Sequence, residues 1–203
     1  MKKILTKSFY TREDVVQVSR DLLGKFLVTK FNGQLTAGKI VETEAYRAPD
    51  DKACHAYNNR RTERTEVMFA EGGITYVYLI YGMYHLFNVV TAKKDMAHAV
   101  LIRGIEPVDN VDVMLERRNF TKLKNNLTDG PGKLTMALGI NKLHTGLSLV
   151  KRKSPIWIED RGISFSEKNI IASPRVRVDY AEECALWNWR FRVKDSKWTS
   201  KDK

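Results

Sequence analysis

An apolar, β-forming run that carries two carboxylates is the feature that most constrains how this 203-residue chain can fold. The run reads Ile40-Val41-Glu42-Thr43-Glu44-Ala45-Tyr46. Successive side chains of a strand point to opposite faces, so Glu42, Glu44 and Tyr46 would share one face. The sequence therefore predicts a strand that presents carboxylates beside an aromatic ring.

The chain also carries a large excess of positive charge. Its 35 Lys and Arg residues against 24 Asp and Glu residues give a net charge of +11 and a pI near 9.6. The excess is uneven, because residues 115–153 hold nine basic residues and two acidic ones. Such a charge balance predicts a polyanionic partner. Nucleic acid is the first candidate, and an anionic membrane surface is the second. A ribosome-associated or merely soluble basic protein is the alternative that charge leaves open.

Length and composition predict one domain over residues 1–203, with Thr199–Lys203 as a flexible tail. A 43% hydrophobic content suffices for one substantial core. No apolar stretch approaches the roughly 18 residues of a membrane span, and the first residues lack the apolar core of a signal peptide. We therefore expect a soluble, cytoplasmic protein. Cys54 and Cys184 are expected to be free thiols, and the histidines lack metal-ligand spacing, so no metal or cofactor is expected.

The first third of the chain predicts a capped helix followed by a β-hairpin. The segment Thr11-Arg12-Glu13-Asp14 precedes an apolar pattern that ends at Gly24, which is typical of a helix with both ends marked. Strands are predicted over residues 25–31 and 34–46, because Asn32-Gly33 between them is the favoured two-residue hairpin turn. Polar residues from 47 to 66 predict a long loop with a short helical turn.

The remainder predicts further antiparallel strands and two helices. Dense β-forming runs predict strands over residues 74–81, 84–91 and 97–105, packed as a meander against the first hairpin. One helix is predicted over 108–118, and another begins after Gly130-Pro131-Gly132 and runs through Leu138. Short strands are predicted near Ile156, Ile170, Val176 and Phe191. The predicted fold class is α+β, a single domain with a mostly antiparallel curved sheet and flanking helices.

Tyrosines are concentrated in one short segment of the meander. The run from Tyr76 to Tyr84 holds four of the chain's eight tyrosines. Strand alternation places Tyr76 and Tyr78 on one face and Tyr81 near the tip, beside Gly82. Aromatic faces bind unstacked bases at roughly 1–3 kcal/mol per base, and an aromatic at a hairpin tip can wedge into a duplex. The alternative is a cross-strand aromatic core, which is the preferred interpretation for Tyr76 and Tyr84.

Base excision requires a carboxylate in an apolar setting, stacking tyrosines, an aromatic side chain at a hairpin tip and a basic surface. Such an enzyme flips a nucleotide out of the duplex, holds the planar base by stacking, and directs a water at the sugar carbon with a general base. The transition state resembles an oxocarbenium ion, which a nearby carboxylate also stabilises.

The chain resembles the alkyladenine (3-methyladenine) DNA glycosylase family over nearly its whole length, and most closely its bacterial members. Six motifs in the family's order carry the resemblance: Glu42-Thr43-Glu44-Ala45-Tyr46, Ala53-Cys54-His55, the run Tyr76 to Tyr84, Leu101-Ile102-Arg103-Gly104-Ile105-Glu106-Pro107, Gly130-Pro131-Gly132-Lys133-Leu134 and Pro174-Arg175-Val176. The resemblance implies a monofunctional DNA glycosylase of base excision repair that needs no cofactor. It also implies a protruding β-hairpin that inserts into DNA through the minor groove.

The resemblance implies a set of catalytic residues. Glu44 would be the general base that activates the water, while Glu42, on the same face, is the competing candidate that periodicity alone cannot exclude. Glu42 is otherwise interpreted as a structural carboxylate paired with a basic neighbour. Arg103 would position the water and the phosphate of the flipped nucleotide, and Val176 would offer its backbone carbonyl to the water. Arg177 follows Val176, at a position where the family pattern predicts a glycine.

The resemblance also implies the residues that bind the substrate. The excised base would lie between Tyr46 and Tyr78, with His55 at its edge, by side chain or backbone, and Asn88 as a steric filter against the exocyclic amine of guanine. Tyr81 would intercalate into the duplex. Met83 and Lys133 would contact DNA, although solvation of a helix surface explains Lys133 nearly as well.

The expected partner is double-stranded DNA containing damaged purines, with 3-methyladenine, 7-methylguanine and hypoxanthine among the substrates. We expect a monomer, associated with the nucleoid of a prokaryotic cell. Hydrolysis would give a free base and an abasic site, because Lys39 lies an odd number of positions from Glu44 and should face away from it. The alternatives are a non-catalytic nucleic-acid-binding module and a hydrolase of free nucleosides.

Overall fold

The computed structural model describes residues 2–151 and 153–200, and they form a curled antiparallel sheet with a few flanking helices. The strands of this described part are β1 (Lys3–Ile4), β2 (Phe26–Phe31), β3 (Gln34–Arg47), β4 (Ile74–Ile80), β5 (Tyr84–Thr91), β6 (His98–Asp109), β7 (Ile156–Asp160), β8 (Ile170–Ser173) and β9 (Arg190–Val193). The α-helices are α1 (Lys7–Tyr10), α2 (Val15–Asp21), α3 (Val111–Arg117) and α4 (Pro131–Leu138). The predicted fold class is confirmed.

The long strand β3 organises the sheet. The strand order is β1-β7-β2-β3-β6-β5-β4, and all of these pairings are antiparallel. The first half of β3 pairs with β2 on one side, whereas Glu42–Glu44 pair there with β9, which in turn pairs with β8. The other side of β3 pairs with β6, and the register shifts around Glu42. A bulge of this kind bends a strand and redirects its side chains.

The early elements follow the sequence prediction closely. Helix α2 is capped by the Asp14 side chain, which accepts a hydrogen bond from the backbone N–H of Gln17 at 2.9 Å. Asn32 and Gly33 have φ values of 50° and 79°, which both residues of this turn type need. The strands β2 and β3 join in register across that turn. The predicted helix and hairpin are therefore confirmed.

Other predictions were wrong in detail. Strand β6 continues to Asp109, so α3 begins at Val111 rather than at 108. No strand includes Val176, because the neighbouring Arg177 has a φ of 60°, which breaks extended structure. Strand β1 and helix α1 were not predicted, since their few residues show no periodicity.

The main core lies between the sheet and the α-helices. It includes Val18 of α2, Phe87 of β5, Ile102 of β6 and Leu134 of α4, each fully buried.

Thr199 and Ser200, which belong to the predicted tail, make hydrogen bonds. Residues 201–203 of that predicted tail lie outside the described part. Within the described ranges, no helix is both long and apolar enough to cross a bilayer.

Candidate active site

A cavity of about 660 Å³ collects most of the residues that the sequence singled out. It lies where β3, β4, β5, β6 and the segment after β8 meet. The predicted residues that line it are Tyr46, His55, Tyr78, Tyr81, Asn88, Arg103, Lys133 and Val176. Glu44 and Met83 are not among the lining residues: Glu44 is fully buried behind the wall, and Met83 lies on the exposed hairpin tip.

Glu44 accepts hydrogen bonds from three residues of the cavity wall. The Tyr46 hydroxyl donates to Oε2 at 2.7 Å, and Nη1 of Arg103 donates to the same oxygen at 3.2 Å. The backbone N–H of Val176 donates to Oε1 at 2.8 Å. A carboxylate offers about four acceptor positions, so these donors leave room for one more hydrogen bond. The strand alternation predicted for Glu44 and Tyr46 is therefore confirmed by direct contact.

Glu42 has a different and more strongly charged environment. Its Oε1 accepts from Nε of Arg103 at 2.9 Å, from Nε of Arg190 at 2.7 Å and from the Ser200 hydroxyl at 2.7 Å. Its Oε2 accepts from the backbone N–H of Ser200 at 2.6 Å. This fully buried carboxylate has the basic partners that a structural role requires.

The charges of this network set the protonation of its members. Burial by itself would raise the pKa of Glu42, but the guanidinium groups of Arg103 and Arg190 outweigh it and lower the pKa. Burial would lower the pKa of Arg103, yet Glu44 and Glu42 raise it. Burial, followed by the charge of Glu44, raises the pKa of Tyr46 well above its ordinary value. Tyr46 is therefore a neutral hydroxyl that donates to Glu44.

A buried ion pair supports the ring of Tyr46. The guanidinium of Arg175 lies 4.8 Å from the centre of that ring and donates to Asp51 through Nη1 at 2.5 Å and Nη2 at 2.8 Å. Both side chains of this pair are fully buried. Nη1 of Arg175 also donates to the backbone carbonyl of Ala45 at 2.9 Å. The pair thus ties the long loop after β3 to the segment that carries Val176.

His55 lines the cavity and is held there by three neighbours. Its Nδ1 lies 2.9 Å from the Tyr76 hydroxyl, and its ring meets that of Tyr78 edge-on at 4.7 Å. Nη2 of Arg64 lies 3.3 Å from Nε2 and can only donate, so Nε2 accepts and Nδ1 carries the proton. Burial, followed by the charge of Arg64, lowers the pKa of His55 to about 4. His55 is therefore neutral near pH 7.

We expect the His55 ring to stay neutral throughout the physiological pH range, and Arg64→Met to raise its pKa. Removing the guanidinium removes the repulsion of the imidazolium, although the burial of the ring remains. Histidine ring signals followed by NMR between pH 3.5 and 8 would measure the shift. Arg60→Met, on the same exposed segment, should leave the titration unchanged. A wild-type His55 that titrates near 6.5 would contradict this description.

The side chain of Asn88 is fixed rather than free to rotate. Its Nδ2 donates to the backbone carbonyls of Tyr76 at 3.1 Å and Leu86 at 3.4 Å. The residue is 3% exposed and lines the cavity. A side chain held in this way presents a rigid obstacle to any group that enters on its side.

The turn between β4 and β5 projects two large apolar side chains into solvent. Tyr81 and Met83 are 63% and 64% exposed. Tyr81 has a φ of 53°, which is uncommon for a bulky residue, and Gly82 follows with 69°. Nη1 of Arg177 donates to the Tyr81 hydroxyl at 3.1 Å. The turn is thus built to hold an aromatic ring outward.

The expectations for the remaining tyrosines and for the basic surface had mixed outcomes. Tyr76 is 2% exposed and belongs to the core, as expected, whereas Tyr84 is 39% exposed and lines the cavity, so the core interpretation for it was wrong. Lys133 lines the cavity and forms an ion pair with Asp129 at 2.7 Å. Arg118, from the basic segment 115–153, also lines the cavity.

Sequence reasoning missed several residues that shape the site. Arg190 and Ser200 reach it from segments remote from the motif they contact, and Arg64 reaches it from the long loop, nine residues after His55. Arg64 and Arg190 gave no signal beyond their charge, and Ser200 falls in the segment predicted to be a tail. Arg177 was noted only because it departs from the family pattern, and the structure shows that it contacts Tyr81.

The fold encloses a cavity lined by aromatic side chains, with a buried carboxylate directly behind its wall. The family model of methylpurine-DNA glycosylase (MPG) matches residues 8–197. The chain therefore belongs to the methylpurine-DNA glycosylase family, the DNA N-glycosylases of DNA repair, which are hydrolases acting on DNA.

Curated bacterial proteins are similar to the chain over almost its full length. Proteins provisionally named 3-methyladenine DNA glycosylase from Clostridium novyi (strain NT) and Chlamydia felis (strain Fe/C-56) are 48% and 47% identical to it. These alignments cover 98% and 96% of this chain and 99% of each relative. A protein from Bacillus cereus (strain G9842) with the same name is 49% identical over 96% of this chain and 97% of its own length.

Proposed function

We propose that the chain is a monofunctional glycosylase that flips damaged purines from duplex DNA and hydrolyses their N-glycosidic bond with a water activated by Glu44. Its substrates would be 3-methyladenine, 7-methylguanine and hypoxanthine. It would act as a monomer, from the minor groove, on the DNA of a bacterial nucleoid. The membership of the family supports this proposal, and the bacterial relatives support the setting.

The hydrogen bonds of Glu44 are the observation that carries the proposal. Three residues of the cavity wall donate to it, and one acceptor position of the carboxylate remains for a water. A water held there would lie at the cavity wall, where the sugar carbon of a bound nucleotide could reach it. Its proton would pass to Glu44 as the oxygen attacks that carbon. The base would leave with the electrons of the broken glycosidic bond.

The environment of the two carboxylates favours Glu44 over Glu42 as the base. Glu42 accepts from two guanidinium groups and has a lowered pKa, so it binds a proton weakly. Glu44 shares only Arg103 with it and receives its other two hydrogen bonds from neutral donors. Among the described residues, Glu42 accepts four hydrogen bonds from protein groups and Glu44 accepts three, so Glu44 has the acceptor position that a water requires.

Arg103 and Val176 would support the attacking water. Arg103 lines the cavity and already donates to Glu44, so it can orient both the carboxylate and a nearby phosphate. The backbone N–H of Val176 donates to Glu44, so the adjoining backbone would lie beside the same water. The backbone carbonyl of Val176 would also contact that water, which would then have a second hydrogen-bond acceptor besides Glu44.

The base would be held by stacking and selected by shape. Tyr46, supported by Arg175, would form one wall and Tyr78, beside His55, the other. Neutral His55 would meet the edge of the base, and the fixed amide of Asn88 would exclude the exocyclic amine of guanine. Alkylated purines carry a positive charge that strengthens stacking on tyrosine and eases their departure.

The hairpin tip would fill the gap left by the flipped nucleotide. Tyr81 is exposed and held outward by its backbone and by Arg177, while Met83 and Lys133 would contact the surrounding DNA. No Schiff-base chemistry is proposed, because Lys39 forms an ion pair with Glu106 at 2.6 Å rather than facing Glu44. The products would be the free base and an unbroken strand with an abasic site.

We expect Tyr81→Ser to lower kcat/KM for base release from a hypoxanthine-containing duplex by about tenfold. The lost stacking of one aromatic ring contributes roughly 1–3 kcal/mol, and 1.4 kcal/mol corresponds to about a factor of ten. Leu143→Ser changes another exposed residue, one outside the cavity, and should have no effect. Release of hypoxanthine should be measured from the duplex and from free inosine in parallel.

That comparison separates a DNA glycosylase from the two alternatives. A hydrolase of free nucleosides would act on inosine and would not respond to Tyr81→Ser. A binding module would release base from neither substrate, although its affinity for DNA would still fall steeply with salt. Release from the duplex alone, reduced by Tyr81→Ser, is the result that supports the proposed function.

A further inference from the structure

The C-terminal Ser200 reaches the buried carboxylate network with every polar group it has. Its backbone N–H and its hydroxyl donate to Glu42 at 2.6 and 2.7 Å. Nη2 of Arg103 lies 3.3 Å from its hydroxyl oxygen, and Nη2 of Arg190 lies 2.9 Å from its carbonyl and 3.1 Å from its hydroxyl. Ser200 also lines the cavity. One residue thus joins a carboxylate to both of its arginines.

Ser200 completes the set of acceptors that orients Arg103. The planar guanidinium donates through Nε to Glu42, through Nη1 to Glu44 and through Nη2 to Ser200. Three acceptors in three directions fix both the position and the rotation of such a group. Without the Ser200 hydroxyl, Nη2 of Arg103 would lose its acceptor. The guanidinium would then be free to turn toward Glu42, whose Oε1 lies 2.9 Å from Nε, and away from Glu44, whose Oε2 lies 3.2 Å from Nη1. The orientation of Arg103 toward Glu44 therefore depends on Ser200.

The sheet leaves room beside β6 for the segment from Trp198 to Ser200. Gly104 of β6 stands opposite Glu42 in the β3–β6 register, and a Cβ at this position would lie 2.5 Å from the Trp198 carbonyl oxygen. The absence of a side chain thus lets the backbone at Trp198 pass close to β6. The Trp198 side chain is 5% exposed and packs in the main core, which anchors the segment two residues before Ser200.

We propose that Ser200 is a positioning residue for base hydrolysis, which acts through Arg103 and Glu42 to hold Glu44 and its water in the reactive arrangement. This role rests on the proposed function of Glu44. It makes the C-terminal segment part of the active site rather than a tail. Its loss should slow the chemical step and leave the affinity for DNA unchanged.

The test compares Ser200→Ala, Ser200→Thr and Thr199→Ala in the full chain. Thr199→Ala is the matched control, because that hydroxyl donates to the Ser196 carbonyl within the same segment. Single-turnover release of hypoxanthine from a duplex should fall about tenfold in Ser200→Ala, since one hydrogen bond to a charged group contributes roughly that factor. Ser200→Thr keeps the hydroxyl and should restore the rate, and DNA affinity should be unchanged in all three variants.

The pH profile of the rate supplies a readout that a merely structural role would not move. The charged groups around Glu42 are Arg103, Arg190, Glu44 and Arg192, which stands opposite Glu42 in the β3–β9 register. The Ser200 hydrogen bonds help to lower the pKa of Glu42. Protonated Glu42 would no longer hold Arg103 in place, so Ser200→Ala should move the acidic limb of the profile to higher pH, and Thr199→Ala should not.

The outcomes separate this inference from the proposed function. Base release by the wild-type chain, with a Ser200→Ala rate and pH profile equal to wild type, would overturn the role of Ser200 and leave the proposed function standing. Equal losses in Ser200→Ala and Thr199→Ala would also overturn it, because they would show a general loosening of the segment. No base release by the wild-type chain would overturn both.

Discussion

Glu44→Gln should lower the single-turnover rate of base release by about 10³-fold while duplex binding survives. The amide cannot accept the water's proton, and removal of a positioned general base costs roughly 10²–10⁴ in rate. The glutamine oxygen can accept from the Val176 N–H, and its amide NH2 can donate to the Tyr46 hydroxyl oxygen, so the cavity should persist. Duplex affinity should hold or increase, because a negative charge near phosphate is lost.

Glu116→Gln is the control for charge in this experiment. It removes the same negative charge from an exposed position on α3. Its rate of base release should equal that of wild type, so any effect of net charge on binding is measured separately. Release by Glu44→Gln at the wild-type rate, from hypoxanthine and methylated duplexes alike, would remove Glu44 from the catalytic role.

Arg175→Met should lower the free energy of unfolding by about 3–5 kcal/mol. The substitution leaves the fully buried Asp51 without the guanidinium that binds both of its oxygens, and breaking one side of a buried ion pair costs about this much. Urea unfolding followed by tryptophan fluorescence and by circular dichroism would measure it. Activity should also fall, because Arg175 supports the Tyr46 ring.

Two further variants make the Arg175 result specific. Arg177→Met, two residues away and exposed, should change the free energy of unfolding by no more than about 0.5 kcal/mol. Adding Asp51→Asn to Arg175→Met should recover part of the loss, since the unpaired buried charge is then removed. A loss below about 1 kcal/mol for Arg175→Met would show that the pair does not hold the loop to the sheet.

Local signals in the sequence account for the parts of the fold that were predicted correctly. The Asn32-Gly33 turn fixes the register of β2 and β3 by backbone preference alone, and the cap at Asp14 marks the start of α2 in the same way. Alternation then places Glu42, Glu44 and Tyr46 on one face. These features depend on residues close together in the chain, so the sequence reveals them.

The contacts that distinguish the two carboxylates depend on residues far apart in the chain. Glu42 meets Arg190 and Ser200 only because β9 replaces β2 beside the second half of β3 and the backbone at Trp198 then passes close to Gly104. No local pattern encodes this exchange of neighbours. The contacts of Ser200 with Glu42 have no local signal either, since polar composition alone does not reveal a buried partner.

Arg177 shows how a departure from the family pattern can have a physical explanation. Its φ of 60° lies in the region that favours glycine, which accounts for the glycine expected there. The arginine tolerates that backbone conformation and gains a hydrogen bond to the Tyr81 hydroxyl and a contact with its ring at 5.6 Å. The sequence marked the position as unusual, and the structure supplies the contact that the arginine makes.

A single-turnover assay of the wild-type chain tests the central claim most directly. One duplex with a single hypoxanthine and one with a single 7-methylguanine should each release the free base, and the strand should stay intact until alkali cleaves it at the abasic site. Removal of metal ions by a chelator should not change the rate. Strand cleavage without alkali, or no release of base from either duplex, would contradict the account.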